Sequence, residues 1–147
     1  EQAIALLADS SAHYRPAAEM LLKLLVQAGD ARVPALAARL LEQNLRSGEF
    51  QQARSLCLRL LPTFPQAPEL RFALGETYRA EGRWEEAIEQ FQQTRRQPGW
   101  LHKATHSLAL CLKQREGMED LARRQIEKVL QVAGKAEEMD ALRSLLS

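Results

Sequence analysis

Two histidines four residues apart are the clearest candidates for metal chemistry in this sequence. His102 and His106 can share one face of a helix, and imidazoles at that spacing bind zinc in one class of metalloprotease. That motif also needs a glutamate beside the first histidine, and Lys103 stands there instead. Because no third ligand lies at an interpretable spacing, we expect a surface or groove histidine pair and no metal ion.

Other patterns that could carry chemistry are incomplete. Glu85, Glu86 and Glu89 could serve as acids and bases, but carboxylates at the start of a helix also suit the positive end of its dipole, which we favour. The Gly134-Lys135 dipeptide lacks the preceding glycine and the following Ser or Thr of a phosphate-binding loop. The sequence therefore predicts no catalytic residue, no cofactor and no enzyme activity.

The two cysteines fit neither a metal site nor a disulfide framework. Cys57 and Cys111 are far apart and fall in different predicted helices. Cysteine behaves as a small apolar residue when it is buried. We expect both side chains to lie in the core.

Composition indicates an all-α protein and excludes two classes of partner. Strong helix formers are abundant, aromatic residues make up only 5% of the 147 residues, and long Val/Ile/Thr runs are missing. A formal net charge of +1 offers no clustered basic surface for nucleic acid. No apolar run is long enough to span a bilayer, so we expect no membrane insertion.

The stretch from residue 68 to residue 99 predicts a pair of helices. Leu74, Gly75 and Tyr78 share one stripe of the first helix, Gly82 ends it, and Trp84 begins the second helix. A pair of this kind cannot bury its apolar face alone and needs similar neighbours.

The same pattern recurs with a period of 34 residues. Four matches link this pair to the one before it: Leu40 with Leu74, Gly48 with Gly82, Phe50 with Trp84, and Ala53 with Ala87. A later copy needs a one-residue insertion before Gly117, after which Ala122 corresponds to Ala87 and Ile126 to Phe91. Residues 1–30 match mainly as a second helix, with Ala18 as the small residue. The predicted units are residues 1–30, 32–65, 68–98 and 101–133 and a terminal helix, 136–146.

Residues 68–99 resemble a tetratricopeptide repeat. Six residues stand at that family's motif positions: Leu74, Gly75, Tyr78, Gly82, Ala87 and Phe91. Arg71 replaces the usual tryptophan, and in the preceding copy Leu41 and Cys57 replace the glycine and the phenylalanine. The resemblance implies a single right-handed α-solenoid of antiparallel helix pairs over residues 1–147, with first helices lining a concave face.

The motif residues have predicted packing roles. Gly75 and Ala87 are expected where the two helices of a pair touch, because larger side chains would overpack that contact. Tyr78, Trp84 and Phe91 are expected to fill the space between one pair and its neighbour.

Positions that point away from those contacts form the candidate binding surface that the resemblance implies. They are Glu42, Arg46, Phe72, Glu76, Arg79, Lys103, His106, Leu110 and Lys113. Arg79, Lys103 and Lys113 give this surface a basic end, while Phe72 and Leu110 offer apolar anchors. Such a surface suits a protein or peptide partner that carries acidic groups.

The resemblance implies a non-catalytic protein-interaction scaffold. We expect the chain to be part of a larger bacterial protein, where similar arrays organise envelope machines such as those for polysaccharide export or pilus biogenesis. A self-assembly module and the regulatory arm of an enzyme remain alternatives. The sequence leaves open whether the protein is cytoplasmic or periplasmic.

Overall fold

The computed structural model describes the backbone of residues 15–147 and the side chains of Met20 and residues 22–147. Within the first predicted unit, the sequence predicts a short helix at residues 3–8 and a break at residues 10–16. That helix, most of that break and the side chain of Ala18 lie outside the described residues.

Eight α-helices and no strand make up the part of the chain that is described. They are α1 (Arg15–Gln27), α2 (Val33–Arg46), α3 (Phe50–Leu60), α4 (Pro68–Ala80), α5 (Trp84–Thr94), α6 (Leu101–Lys113), α7 (Glu119–Leu130) and α8 (Ala136–Ser144). The all-α prediction is confirmed. The terminal helix, predicted at residues 136–146, is observed at Ala136–Ser144.

The turns within two of the pairs have the same geometry. Each contains a glycine with φ of +77°, Gly48 in one and Gly82 in the other. After α2, the Glu49 N–H donates to the Asn44 carbonyl at 2.8 Å, which closes the end of the helix. The Arg83 N–H donates to the Tyr78 carbonyl at 2.8 Å in the same way after α4. The 34-residue period thus sets the backbone as well as the core pattern.

The turn between α6 and α7 differs, as the predicted insertion requires. Gly117 again has a positive φ, +79°. Here, however, the Arg115 N–H donates to the Leu112 carbonyl at 3.0 Å and the Met118 N–H to the Arg115 carbonyl at 3.2 Å. The extra residue is taken up before the glycine, which leaves the following helix in register with the repeat.

The described helices fall into two compact units, and the boundary along the chain lies within α4, between residues 73 and 74. In the first unit α2 packs against α1 and α3. In the second unit α6 packs against α5, α7 and α8, and α7 also contacts α8.

The same two core positions, one on each helix of a pair, recur in each copy, but the large and small residues exchange places. The pairs are Leu41 with Cys57, Gly75 with Phe91, and Ala109 with Ile126, and all six residues are buried. A large first-helix residue accompanies a small second-helix residue in the first copy, and the order is reversed in the other two. The summed bulk therefore changes less than either residue does.

The middle pair shows the contact directly. A Cβ atom added at Gly75 would lie 2.6 Å from the Phe91 ring, which is itself fully buried and has no room to move aside. Phe91 therefore packs against the first helix of its own pair, where the sequence had predicted a role between pairs. Gly75 is small because of the phenylalanine ring.

The terminal helix α8 is held by one buried residue and by the loop before it. Leu142 is fully buried, whereas Leu146 remains 38% exposed. In the loop, the Val132 carbonyl lies 2.8 Å from Nε2 of buried His102. A Cβ atom at Gly134 would come within 2.5 Å of the His102 ring, so this glycine permits a close approach.

Gly75→Leu should lower the free energy of unfolding by about 1–3 kcal/mol, because the new side chain overlaps the Phe91 ring. Ala80→Leu, at an exposed position of the same helix, is the matched control and should change stability by less than about 0.5 kcal/mol. Urea unfolding of both variants measures the difference. Equal stabilities would show that Gly75 does not set the spacing of the pair.

Candidate protein-binding surface

Helix α6 is the central helix of the second unit, and most of its residues are buried. Its accessible side chains are Leu101, at its first position, and Lys103, His106, Leu110 and Lys113. The last four are spaced three or four residues apart and so lie along one side of the helix. We call these four residues the α6 stripe; all of them were expected to line the concave face.

A carboxylate beside the α6 stripe joins two helices. Glu76 of α4 accepts a hydrogen bond at Oε1 from the Ser107 hydroxyl, at 2.6 Å. Its Oε2 accepts from Arg79 Nη2 at 2.5 Å. The predicted residues Glu76 and Arg79 therefore form an ion pair, and their charges offset each other. Ser107, which the sequence did not single out, anchors this pair to α6.

His106 lies next to this network and is half-buried. Burial lowers its pKa below the ordinary histidine value, because a charged imidazolium loses hydration there. The Glu76 carboxylate raises the pKa of His106 and the Arg79 guanidinium lowers it. At neutral pH the ring is therefore uncharged, with one nitrogen donating and one accepting hydrogen bonds.

The two lysines of the α6 stripe are exposed but have partners. The Lys103 ammonium lies 5.2 Å from the centre of the Trp100 ring, within the range of a cation–π contact. The Lys113 ammonium donates to the Leu145 carbonyl at the end of α8. Each ammonium has three N–H donors and can therefore bond to more than one partner.

The histidine pair does not form a metal site. His106 faces the Glu76–Arg79 network, whereas His102 is buried against the loop before α8. The expectation that both would lie at the surface or in a groove is therefore wrong for His102. Residues 20 and 22–147 include no cluster of three or more His, Cys, Asp or Glu side chains that could hold a metal ion.

In the first unit, two of the predicted residues are exposed and one is half-buried. Arg46 and Glu42 are one turn apart on α2 and form a weak ion pair, with 3.8 Å between nitrogen and oxygen. They border an open depression of about 430 Å³, together with Arg39 and Gln43. Phe72 on α4 is half-buried. These three residues belong to the first unit and the other six to the second.

A larger groove lies on the other side of α2, and the sequence did not identify it as a site. It has a volume of about 1090 Å³, with a floor that includes Leu40 and Asn44 of α2 and walls from α1 and α3. The one signal in the sequence was the unusually broad apolar face of α1, residues 21–26. That face carries more apolar side chains than the contact with α2 covers, since Leu24 remains 57% exposed.

Both cysteines are buried and unpaired, as expected. Burial raises the pKa of Cys57 to about 12 and that of Cys111 to about 12. Because the thiolate is the reactive form, neither thiol is poised for nucleophilic chemistry at neutral pH.

Comparison with known families identifies the repeat. A tetratricopeptide repeat model matches residues 44–98, which run from the end of α2 past α5. Residues 44–98 belong to the tetratricopeptide repeat family. Searches of curated proteins and of solved structures returned no match to the chain.

Tetratricopeptide repeats are in general non-catalytic modules that bind other proteins. The matched segment includes the Gly48 and Gly82 turns and the contact between Gly75 and Phe91. The residues that it shares with the family motif are therefore those that form the turns and the core of the repeat. Among the described helices, none is long and apolar enough to cross a membrane.

His106 should make stability depend on pH. Its pKa is lower in the folded chain than in the unfolded chain, where it is about 6.5, so the unfolded chain binds a proton more readily. The contribution of His106 is complete above about pH 6.5 and is lost as the pH falls towards the lowered pKa. Urea unfolding of the wild type and His106→Gln at several pH values isolates this loss. An identical pH dependence in the two proteins would contradict it.

Proposed function

We propose that the α6 stripe, with the adjoining Glu76 and Arg79, binds a peptide segment of a protein partner. The observation that carries the proposal is that the most buried helix of the second unit keeps one accessible row of residues. That row places the half-buried Leu110 between the two lysines along the helix. A half-buried leucine flanked by cations suits a segment with an apolar anchor and acidic neighbours.

The paired charges refine the chemistry of the partner. Arg79 is paired with Glu76, whereas Lys103 and Lys113 are the exposed cations of this surface. The uncharged His106 can donate or accept a hydrogen bond between them. In the first unit, Glu42, Arg46 and Phe72 are further proposed partner contacts.

We also propose a biological setting, which the family resemblance permits. We place this binding within a larger bacterial protein, in an envelope assembly such as one for polysaccharide export or pilus biogenesis. The role is that of a scaffold, which requires no catalytic group within the repeat. Regulation of an enzyme domain elsewhere in the same protein is the alternative setting.

Site-specific photo-crosslinking in cells tests the surface. A photoreactive residue at Leu110 should give adducts with a partner protein, whereas the same residue at Arg123, exposed on α7, should not. Equal adducts at the two positions, or none at Leu110, would contradict the proposal. Adducts with a second copy of this chain would favour self-assembly instead.

Charge reversal tests the acidic partner. Lys103→Glu with Lys113→Glu should weaken binding of the crosslinked partner by about tenfold, because each reversal replaces an attraction by a repulsion. Arg123→Glu with Lys128→Glu, on the exposed face of α7, is the matched control and should bind as the wild type does. Titration calorimetry measures both. Unchanged affinity in the first variant would remove the acidic-partner proposal.

Self-assembly is the second candidate, and one observation favours it. Val132 and Leu146 are apolar and are 46% and 38% exposed near the C-terminal end of the described chain. If copies associate there, the mass by light scattering should rise with concentration and Leu146→Glu should abolish the rise. A constant monomer mass in the wild type would exclude this candidate.

A further inference from the structure

The groove between α1 and α3 carries a second inference. It is lined by Met20, Leu22, Lys23, Val26, Gln27, Leu40, Asn44, Gln51, Gln52, Ser55, Leu56 and Arg59, all of them in the first unit. Its apolar residues come from all three helices, and Met20, which is 69% exposed, offers a flexible side chain that can adapt to a ligand.

The charged residues among the described lining of the groove are all basic. Lys23 and Arg59 are both exposed, and no Asp or Glu is among the described lining residues. Neither cation has an ion pair within the described part of the chain. A ligand with apolar residues on one face and carboxylates on its flanks would complement this surface.

The equivalent place in the second unit is closed by a direct bond. Arg95, at the end of α5, donates to Oε1 of Gln125 on α7 at 2.8 Å, which links two successive second helices. Subtracting one offset of 34 and one of 35 residues from Arg95 gives Val26, and the same subtraction from Gln125 gives Leu56. These are the corresponding positions in the first unit. Both are half-buried apolar side chains that line the groove.

The register behind this comparison has structural support. Ala18 and Ala53 are 35 residues apart in the sequence, and the same offset aligns Leu22 with Cys57. Both Leu22 and Cys57 are buried. At the positions where Arg95 and Gln125 form a hydrogen bond in the second unit, the first unit therefore has two apolar side chains.

We propose that this groove docks an acidic amphipathic helix of a partner protein. The walls α1 and α3 have 13 and 11 residues, so they extend for about 20 and 16 Å, roughly three to four turns of a ligand helix. A helix of that length places apolar anchors at i, i+4 and i+7 on one face, which suits the apolar side chains among the groove residues. Glutamates on its flanks would reach Lys23 and Arg59.

This site is separate from the surface proposed above, although it rests on the same general protein-binding role. Leu40 and Asn44 lie on one face of α2, and Glu42 and Arg46 on the opposite face, because residues two apart point about 200° from each other. The α6 stripe belongs to the other unit. Either surface can fail experimentally without affecting the other.

Selection from a displayed peptide library tests the proposal on the whole chain. The library consists of helices of about 14 residues with leucines fixed at i, i+4 and i+7 and with all flanking positions randomised. Wild-type protein should select peptides rich in Asp and Glu at the flanks. Protein carrying Lys23→Glu with Arg59→Glu should select basic flanks instead. Recovery of no binder, or of peptides with the same flanks from both proteins, would overturn the proposal.

The affinities of one selected acidic peptide for the wild type and for charge-reversal variants show where the peptide binds. The peptide should bind Lys23→Glu with Arg59→Glu about tenfold more weakly than wild type, and more weakly as salt increases. Arg123→Glu with Lys128→Glu, exposed on α7 and outside both proposed surfaces, is the matched control and should retain wild-type affinity. Loss of binding in Lys103→Glu with Lys113→Glu instead would place the peptide on the α6 stripe and overturn the groove.

Two further measurements complete the test. The substituted groove residues are exposed, so the variant should melt at the wild-type temperature, which shows that lost binding is not lost folding. Light scattering separates the partner helix from a second copy of this chain. A wild-type dimer that the groove variant converts to monomer would assign the groove to self-association and overturn the proposal.

Discussion

The fold depends on a size constraint between two positions of each helix pair. Gly75 and Phe91 show it most clearly, since the phenylalanine ring occupies the space where a glycine Cβ would be. Leu41 at the glycine position would by itself predict a wider crossing in the preceding pair, but Cys57 replaces the large ring there, and both residues are fully buried. The two pairs thus differ by a reciprocal exchange of large and small residues, which keeps their summed size similar.

That constraint separates the residues that define the repeat from those that distinguish one copy from another. Once the core pair and the turn glycine are satisfied, the outward positions of a helix can change with little cost to folding. The position of Arg95 shows the result. It forms a polar bridge to Gln125 in one unit, while the corresponding residue Val26 lines an apolar groove in the other. The binding surfaces that we propose use these variable positions.

Much of the fold was predictable because it rests on local rules. Glycines at a 34-residue spacing predicted the turns, and both Gly48 and Gly82 adopt the positive φ that makes glycine necessary there. The one-residue insertion was also predictable, because Ala122 and Ile126 had to return to buried positions, and both are fully buried. Periodicity places a side chain on a face of its helix, which suffices for the core.

The candidate surface was less predictable, since a partner from a distant part of the chain decides what a surface charge can do. Nothing near Lys113 in the sequence indicates that its ammonium bonds to the carbonyl of Leu145. His102 and His106 are one helical turn apart, yet the loop before α8 buries the first and leaves the second half-exposed. Helical spacing predicts that two residues share a side, whereas the neighbouring helices determine whether that side is accessible.

The same reasoning explains why α2 can present two chemically different surfaces. Its Glu42–Arg46 face is charged and open, and its Leu40–Asn44 face is the floor of a groove whose walls combine apolar and polar residues. A first helix with a neighbour on each flank leaves two faces that do not take part in either contact. In the second unit the Arg95–Gln125 bond links the end of α5 to α7, the two helices that flank α6, while the α6 stripe stays accessible. A repeat can therefore gain or lose a binding face through a few residues on its second helices, without altering the packing that identifies the family.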